Sequence, residues 1–190
     1  MSSPSYSGEL PAVIAKLDRC SELLGRGLSW LVLAMMLVQF LIVVLRYMFN
    51  VNSIVMQESV MYMHAVVFML AASYTLRHDG HVRVDIFYRG IRPKRQALVD
   101  LVGTVFLLMP VMVFVILTSL GYVSSSWRIF EGSPDTGGIP GVFLLKTLIP
   151  AFAGLMILQG LVEAVRHWWI LTGRLVPLID EQEPHLEERI

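Results

Sequence analysis

The sequence predicts an all-α integral membrane protein with four transmembrane helices, a short amphipathic N-terminal helix, and both termini in the cytoplasm. Of its 190 residues, 55% are hydrophobic and only 16% are charged, which is unlike a typical soluble domain. The charges are also segregated, because three long apolar runs contain none and a fourth is interrupted only by Glu58 and His64. These runs are 27–45, 54–76, 101–127 and 147–162. Since about 20 mostly apolar residues cross a bilayer core, each run with its flanks is long enough to span it.

The positions of the basic residues predict the orientation in the membrane. Of the 15 Lys and Arg residues, 12 lie before the first run, between the second and third, or after the fourth, and 3 lie on the opposite side. By the positive-inside rule, the side with more basic residues faces the cytoplasm. The single cysteine, Cys20, excludes an intramolecular disulfide and argues against membrane thiol oxidases, which need several cysteines.

The apolar runs also set the predicted domain boundaries. The Ser- and Gly-rich residues 1–10 are expected to be disordered, residues 11–174 to form the four-helix membrane domain, and residues 175–190 to form an acidic cytoplasmic tail. The four spans are placed at about 28–49, 54–76, 97–122 and 142–169.

The segment before the first span has the pattern of an amphipathic helix. Its apolar residues Val13, Ile14, Leu17, Leu24 and Leu28 recur at helical spacing, with charged residues on the other faces. This pattern predicts a helix that lies on the inner leaflet until the chain turns inward at about Leu28. The alternative is a solvated extension of the first span.

The connections and prolines predict how the spans are joined. Residues 50–53 are too few to connect anything but antiparallel neighbours. Pro110 and Pro150 lie inside the third and fourth spans, where each removes a helix hydrogen bond and is expected to bend its helix. The loop 124–141 carries six Gly and Pro residues, so we expect turns there rather than regular elements.

Two ionisable residues lie near the outer ends of the first two spans. Arg46 and Glu58 are each about 5 Å inside their helix ends at the usual helical rise, and the hairpin brings them level. We therefore predict a salt bridge between them. The alternative makes Glu58 a proton or cation carrier, since buried acids often mark ion pathways.

Gln39 and His64 fall near the middle of the first and second spans, where a hydrogen bond between them would contribute about 1 kcal/mol. Haem ligation by His64 is not expected, because it needs a second axial ligand inside the bundle. The other histidines lie at or beyond the inner boundary. They are His78, His81, His167 and His185.

Other chemistry-bearing groups point to no enzyme site. Zinc binding at His78 and His81, with Asp79 and Asp85, lacks an established ligand spacing, so no metal or cofactor is expected in this chain. No nucleophile elbow, phosphate loop or paired catalytic carboxylates occur. Residues Glu163, Arg166 and His167 are interpreted as a local surface cluster at the end of the fourth span.

Three short motifs resemble those of a known transporter family. They are the Gln57-Glu58 pair, the segment Ala-Ala-Ser-Tyr-Thr-Leu-Arg at 71–77, and His-Val-Arg-Val-Asp at 81–85. With the four spans, they resemble the small membrane subunit (DctQ-like) of tripartite ATP-independent periplasmic (TRAP) transporters over about residues 20–170. One departure is that the family often has two acids where this chain has Glu58 alone. Any role that needs a carboxylate pair is therefore in doubt.

This resemblance implies a function. Such transporters use a sodium gradient to take up carboxylate-bearing solutes across the bacterial inner membrane. A large multi-span membrane subunit carries the solute and sodium sites, and a periplasmic solute-binding protein delivers the solute. This chain would be a scaffold subunit in contact with that large subunit and with phospholipid, and it would not bind nucleic acid. The alternative is a self-sufficient small proton- or cation-coupled exporter that uses Glu58, and a membrane redox protein is a third possibility.

The basic segment that begins at Arg77 allows two interpretations. One is a lipid-facing loop that sets topology, in which each Arg is attracted to anionic headgroups by about 1 kcal/mol. The other makes His81, Arg83 and Asp85 fixed contacts to the partner subunit or to the rest of the bundle. Topology needs only positive charge, and it does not explain the alternating valines, the acid or Gly80. We therefore favour the contact interpretation.

Overall fold

The structure is a computed structural model that describes residues 6–7, 12–78, 80 and 93–177. Five α-helices make up nearly all of this part of the chain. They are α1 (Ala12–Phe49), α2 (Ile54–Arg77), α3 (Pro93–Gly103), α4 (Met109–Arg128) and α5 (Val142–Leu171). A π-helical turn, Thr104–Leu108, joins α3 to α4, and two short strands, β1 (Tyr6–Ser7) and β2 (Val176–Pro177), flank the helices.

Four helical segments are long and apolar enough to cross a membrane, which confirms the predicted number of spans. They are Lys16–Phe49, Ile54–Arg77, Lys94–Arg128 and Val142–Leu171. The third is 35 residues long because α3, the π-helical turn and α4 run on as one rod. It therefore continues to Arg128, beyond the predicted end at residue 122.

Helix α5 is the central element of the bundle. It packs against α2, α3 and α4, whereas α1 packs mainly against α2. In the most apolar 18 residues of each span, 33% are buried in α5 but 6% or fewer in the other three. The remaining apolar surface faces outward, as expected where lipid or another membrane subunit takes the place of water.

The predicted turn at Leu28 is wrong, because α1 is one uninterrupted helix from Ala12 to Phe49. Its N-terminal part is an extension of the first span. Ile14, Asp18, Ser21 and Leu28 are buried along this part of α1, and this spacing places them on one stripe. Of the predicted apolar pattern, Ile14 and Leu28 lie on this buried stripe, whereas Leu17 and Leu24 are half-buried. Half of the stripe is polar.

The third span is irregular next to Pro110. Proline has no backbone N–H to continue the α-helical ladder, and the preceding turn widens so that Met109 N donates to the carbonyl of Thr104, five residues earlier. Helix α5 comes close at this turn. A Cβ added to Gly160 would lie 2.5 Å from Leu108 Cδ2, so a larger residue there would require Leu108 to move.

The two ends of the described chain meet at one end of the bundle. Strands β1 and β2 pair antiparallel, with Tyr6 opposite Pro177 and Ser7 opposite Val176. An even number of spans returns the chain to the side where it started, and this pairing agrees with that. The cytoplasmic location of this side remains a prediction. Residues 1–5, 8–10 and 178–190 lie outside the described residues.

Candidate functional site

Polar side chains gather at the end of the bundle where the chain termini meet. We call this group the charge cluster, and it joins three helices that are far apart in sequence. It consists of Asp18, Ser21 and Glu22 from α1, Arg77 and His78 at the end of α2, and Gln159, Glu163 and Arg166 from α5.

Arg166 is the centre of the charge cluster. Its side chain is buried (4% exposed), so the interpretation of Glu163, Arg166 and His167 as a surface cluster is wrong. Arg166 Nη2 lies 2.9 Å from Asp18 Oδ2, and Nη1 lies 2.6 Å from Glu163 Oε1. Asp18 therefore ties α1 to α5. A buried charge with opposite charges around it is stable only while those partners remain.

Arg77 extends the cluster to α2. Its Nε lies 3.4 Å from Asp18 Oδ1, its Nη1 lies 3.4 Å from Glu22 Oε2, and Nη1 also donates to the backbone carbonyl of Asp18. His78 Nε2 lies 3.6 Å from the same Glu22 oxygen. The basic segment predicted from the sequence also includes His81, Arg83 and Asp85, which lie outside the described residues. The contacts of these three residues remain a prediction.

A hydrogen bond between neutral side chains also joins α1 to α5, and a second bond within α5 continues it to the Glu163 carboxylate. Ser21 Oγ donates to Gln159 Oε1 at 3.1 Å, and Gln159 Nε2 donates to Glu163 Oε1 at 3.3 Å. Close by, Gly25 meets the ring of Tyr74, and a Cβ at this glycine would lie 2.6 Å from Tyr74 Cε2. The N-terminal half of α1 is therefore held by both polar bonds and close packing.

At the other end of the bundle, the buried carboxylate of Glu58 binds the loop between α4 and α5. Oε1 accepts a hydrogen bond from the Ser133 hydroxyl, and Oε2 accepts one of 2.5 Å from the backbone N–H of Ile139. We call this arrangement the Glu58 clamp. Gly138 is required beside it, because a Cβ there would lie 2.5 Å from Glu58 Oε1. Between Arg128 and Val142 the described loop has no helix or strand, as predicted.

The predicted salt bridge between Arg46 and Glu58 is wrong. Arg46 is exposed, and its Nη2 donates to Asn52 Oδ1 at 3.3 Å. Arg46 and Glu58 lie at similar depth, but their side chains do not face each other. Gln57 faces the groove beside Arg46, and the next residue of an α-helix is rotated by about 100°, which turns Glu58 towards the loop.

A second ion pair fastens the same loop. The Lys146 ammonium group binds the Glu131 carboxylate and lies 4.0 Å from the centre of the Tyr122 ring. The hydrogen bond from Lys146 lowers the pKa of Glu131 below its ordinary value of 4.5. Trp127 Nε1 also donates to Thr147 Oγ1 at 2.9 Å, and this bond joins the end of α4 to the start of α5.

Gln39 and His64 lie on an open groove between α1 and α2, and the predicted hydrogen bond between them is not formed. Both side chains are exposed, and His64 stacks on Phe68 with ring centroids 6.2 Å apart. The groove has two sections, of about 490 and 340 Å³, that share Gln39 and Gln57. We call its lining the groove face. It includes Met35, Met36, Gln39, Arg46, Tyr47, Gln57, Val60, Met61 and His64.

The described residues contain no group of three or more His, Cys, Asp or Glu side chains arranged to hold a metal ion. Of the residues considered for zinc in the sequence, His78 belongs to the charge cluster through Glu22. The other three, Asp79, His81 and Asp85, lie outside the described residues.

One comparison with known proteins gives a match. The family model described as "Tripartite ATP-independent periplasmic transporters, DctQ component" matches residues 35–169, which is well over half of the chain. This region contains the Glu58 clamp and the α2 and α5 members of the charge cluster, but Asp18, Ser21 and Glu22 precede it. No curated protein and no solved structure gives a significant match.

Proposed function

Since this chain belongs to the DctQ family of TRAP transporters, we propose that it is the small scaffold subunit of a sodium-coupled tripartite secondary transporter. The assembly would take up carboxylate-bearing solutes across the bacterial inner membrane with a large membrane subunit and a periplasmic solute-binding protein. The solute and sodium sites belong to the large subunit. This chain needs no cofactor of its own and performs no enzymatic reaction.

The observation that carries the scaffold role is the bonding of the buried charges. Both oxygens of Glu58 bind the loop, and Arg166 binds acids on two helices. A transport site must bind and release its ligand, and charged groups that are already paired inside the chain are poorly suited to that. They are suited to fixing helices and a loop in one arrangement.

The alternative of a self-sufficient exporter depends on Glu58 as the coupling group. Its carboxylate is buried (9% exposed), and Ser133 and Ile139 are its hydrogen-bond partners. Proton exchange at this carboxylate would have to break the Glu58 clamp in every cycle. The geometry therefore favours a structural role for this acid.

Reconstitution separates the two functions. We expect this chain to co-purify with a large TRAP membrane subunit from the same genome when the two are co-expressed. Proteoliposomes that contain both, with the binding protein outside, should accumulate radiolabelled mono- or dicarboxylates under a sodium gradient. Those that contain this chain alone should not.

The exporter is tested with the same preparation of the single chain. Proteoliposomes that contain it alone are given a pH gradient, and the movement of ethidium is followed for the wild type and for Glu58→Gln. Ethidium transport that is lost in the variant would establish the exporter and overturn the scaffold role.

The basic loop is tested in the complex. Replacement of residues 81–92 by a scrambled sequence of the same composition keeps the positive charge that topology needs, and it leaves His78 of the charge cluster and the start of α3 unchanged. If His81, Arg83 and Asp85 make specific contacts, we expect lower complex yield and lower uptake. Unchanged yield and uptake would show that this segment contributes charge alone.

A further inference from the structure

The groove face exposes two polar side chains in the middle of the membrane-spanning segments. Gln39 lies ten residues before the end of α1 at Phe49, and His64 lies ten residues after the start of α2 at Ile54. At the usual helical rise, each is about 15 Å from its helix end. That depth is close to the centre of a hydrocarbon core about 30 Å thick.

Polar groups elsewhere on the exposed surface have hydrogen-bond partners within their own helices. The hydroxyls of Ser29, Thr118 and Ser124 each donate to a carbonyl one turn earlier in their own helix. Gln39 and His64 have no hydrogen-bond partner within the part of the chain that the structure describes. Lipid hydrocarbon offers none either, so a lipid-facing position would leave both groups unsatisfied at membrane depth.

We propose that a transmembrane helix of the large subunit covers the groove face and presents hydrogen-bonding groups to Gln39 and His64. This inference rests on the proposed function, which supplies the partner. Side-chain hydrogen bonds between helices are a common means of association in membranes. The methionines of the groove, Met35, Met36 and Met61, are flexible side chains that adapt to the shape of a partner.

The shape and charge of the groove agree with such an occupant. Its two sections meet at Gln39 and Gln57 and together extend along the helices from His64 to Arg46, which suits an elongated partner. Arg46 has the neutral amide oxygen of Asn52 as its partner, and no carboxylate lies within ion-pair distance in the described chain. The end of the groove therefore presents a cation that complements an acidic or carbonyl group of the partner helix.

Site-specific photo-crosslinking in the co-expressed complex tests the location. Benzoylphenylalanine is placed at Met61 on the groove face, where the side chain is 48% exposed, or at Leu117 on α4, where it is 68% exposed. We expect an adduct with the large subunit from Met61 and none from Leu117. The control position is more exposed, so a lack of adduct there would not result from poor access.

The polar contribution is tested by a shape-matched pair of substitutions, Gln39→Leu with His64→Phe. Loss of two interhelical hydrogen bonds should lower the ratio of large subunit to this chain in the purified complex by about tenfold. Thr118→Val is the matched control, because it removes an exposed polar group whose hydroxyl bonds to its own helix. It should leave the ratio unchanged, and both variants should melt like the wild type as single chains in detergent.

The outcomes separate this inference from the function on which it rests. No co-purification of a large subunit would overturn both. A complex that forms but gives an adduct from Leu117 and not from Met61 would overturn the groove face alone. So would a Met61 adduct with a second copy of this chain, or with lipid only. An unchanged ratio in the double variant would likewise remove Gln39 and His64 from the interface.

Discussion

The two ends of the bundle are held together by different uses of charge. In the charge cluster, side chains of opposite charge pair with one another across α1, α2 and α5. In the Glu58 clamp, a single carboxylate binds a hydroxyl and a backbone N–H of one loop. The cluster therefore fixes how whole helices pack, whereas the clamp fixes the conformation of a surface segment. Substitutions at the two ends should differ in what they disrupt as well as in how much.

The largest effect is expected from Arg166→Leu in the charge cluster. It leaves Glu163 and the buried Asp18 without this cation, and breaking a buried ion pair from one side costs about 3–5 kcal/mol. Thermal unfolding of the purified chain in detergent measures the change. Arg174→Leu, at an exposed position after α5, is the control and should stay within about 0.5 kcal/mol of the wild type. A similar loss in both variants would contradict a special role for the cluster.

Glu58→Ala should have a smaller and more local effect. It removes two hydrogen bonds to a charged acceptor, but Ser133 and Ile139 are only half-buried and water can take the place of the carboxylate. We therefore expect a net loss of about 1.5–3 kcal/mol, with most of the helical packing retained. We expect faster hydrogen exchange at the Ile139 amide and easier proteolysis within 129–141. Arg46→Ala should change neither, since Arg46 does not contact Glu58. If the loop became equally exposed in Glu58→Ala and Arg46→Ala, that result would support the salt bridge between the two residues that the sequence predicts.

The contrast between the two ends also explains what could be predicted from the sequence. The spans follow from the length of each apolar run, which is a local property, and their number was predicted correctly. An acid at membrane depth made Glu58 an evident candidate. Its partners were not predictable, because they depend on the rotation of α2 about its axis and on the path of a loop that contributes Ser133, 75 residues further along the chain.

The charge cluster was missed for the same kind of reason. Asp18 and Arg166 are 148 residues apart, and nothing local to either indicates the other. The helical spacing of Glu163 and Arg166 was visible in the sequence, but helical spacing alone does not show which face of α5 is buried. One signal was available, namely the alternation of polar and apolar residues in the first turns of α1. It was attributed to a membrane surface, although it reflects packing.

Gly138→Ala sharpens the comparison by leaving every charge in place. The added Cβ would lie 2.5 Å from Ser133 Cβ and 2.5 Å from Glu58 Oε1, so the loop must shift away from the carboxylate. Overpacking of this kind costs about 1–3 kcal/mol. We expect the same increase in exchange at Ile139 as in Glu58→Ala, with little change in helix packing. If exchange at Ile139 in the double variant, Gly138→Ala with Glu58→Ala, increases by the sum of the two single effects, the glycine and the clamp act independently.

The smallest effect should come from the half-buried Lys146–Glu131 ion pair of the same loop, and it should depend on pH. The pKa of Glu131 is lowered from 4.5 by the Lys146 hydrogen bond. A carboxylate whose pKa is lower in the folded state stabilises that state above its unfolded pKa, and the contribution disappears as the pH falls through the folded pKa. Hydrogen exchange in residues 129–141 should therefore accelerate in the wild type as the pH falls below about 4.5, after correction for the intrinsic rate.

Lys146→Met removes the cause of this shift and should abolish the additional acid dependence. At any given pH the substitution should leave the packing of the helices unchanged, because the Lys146–Glu131 pair lies outside the charge cluster. If the variant keeps the acid response of the wild type, another carboxylate controls the loop.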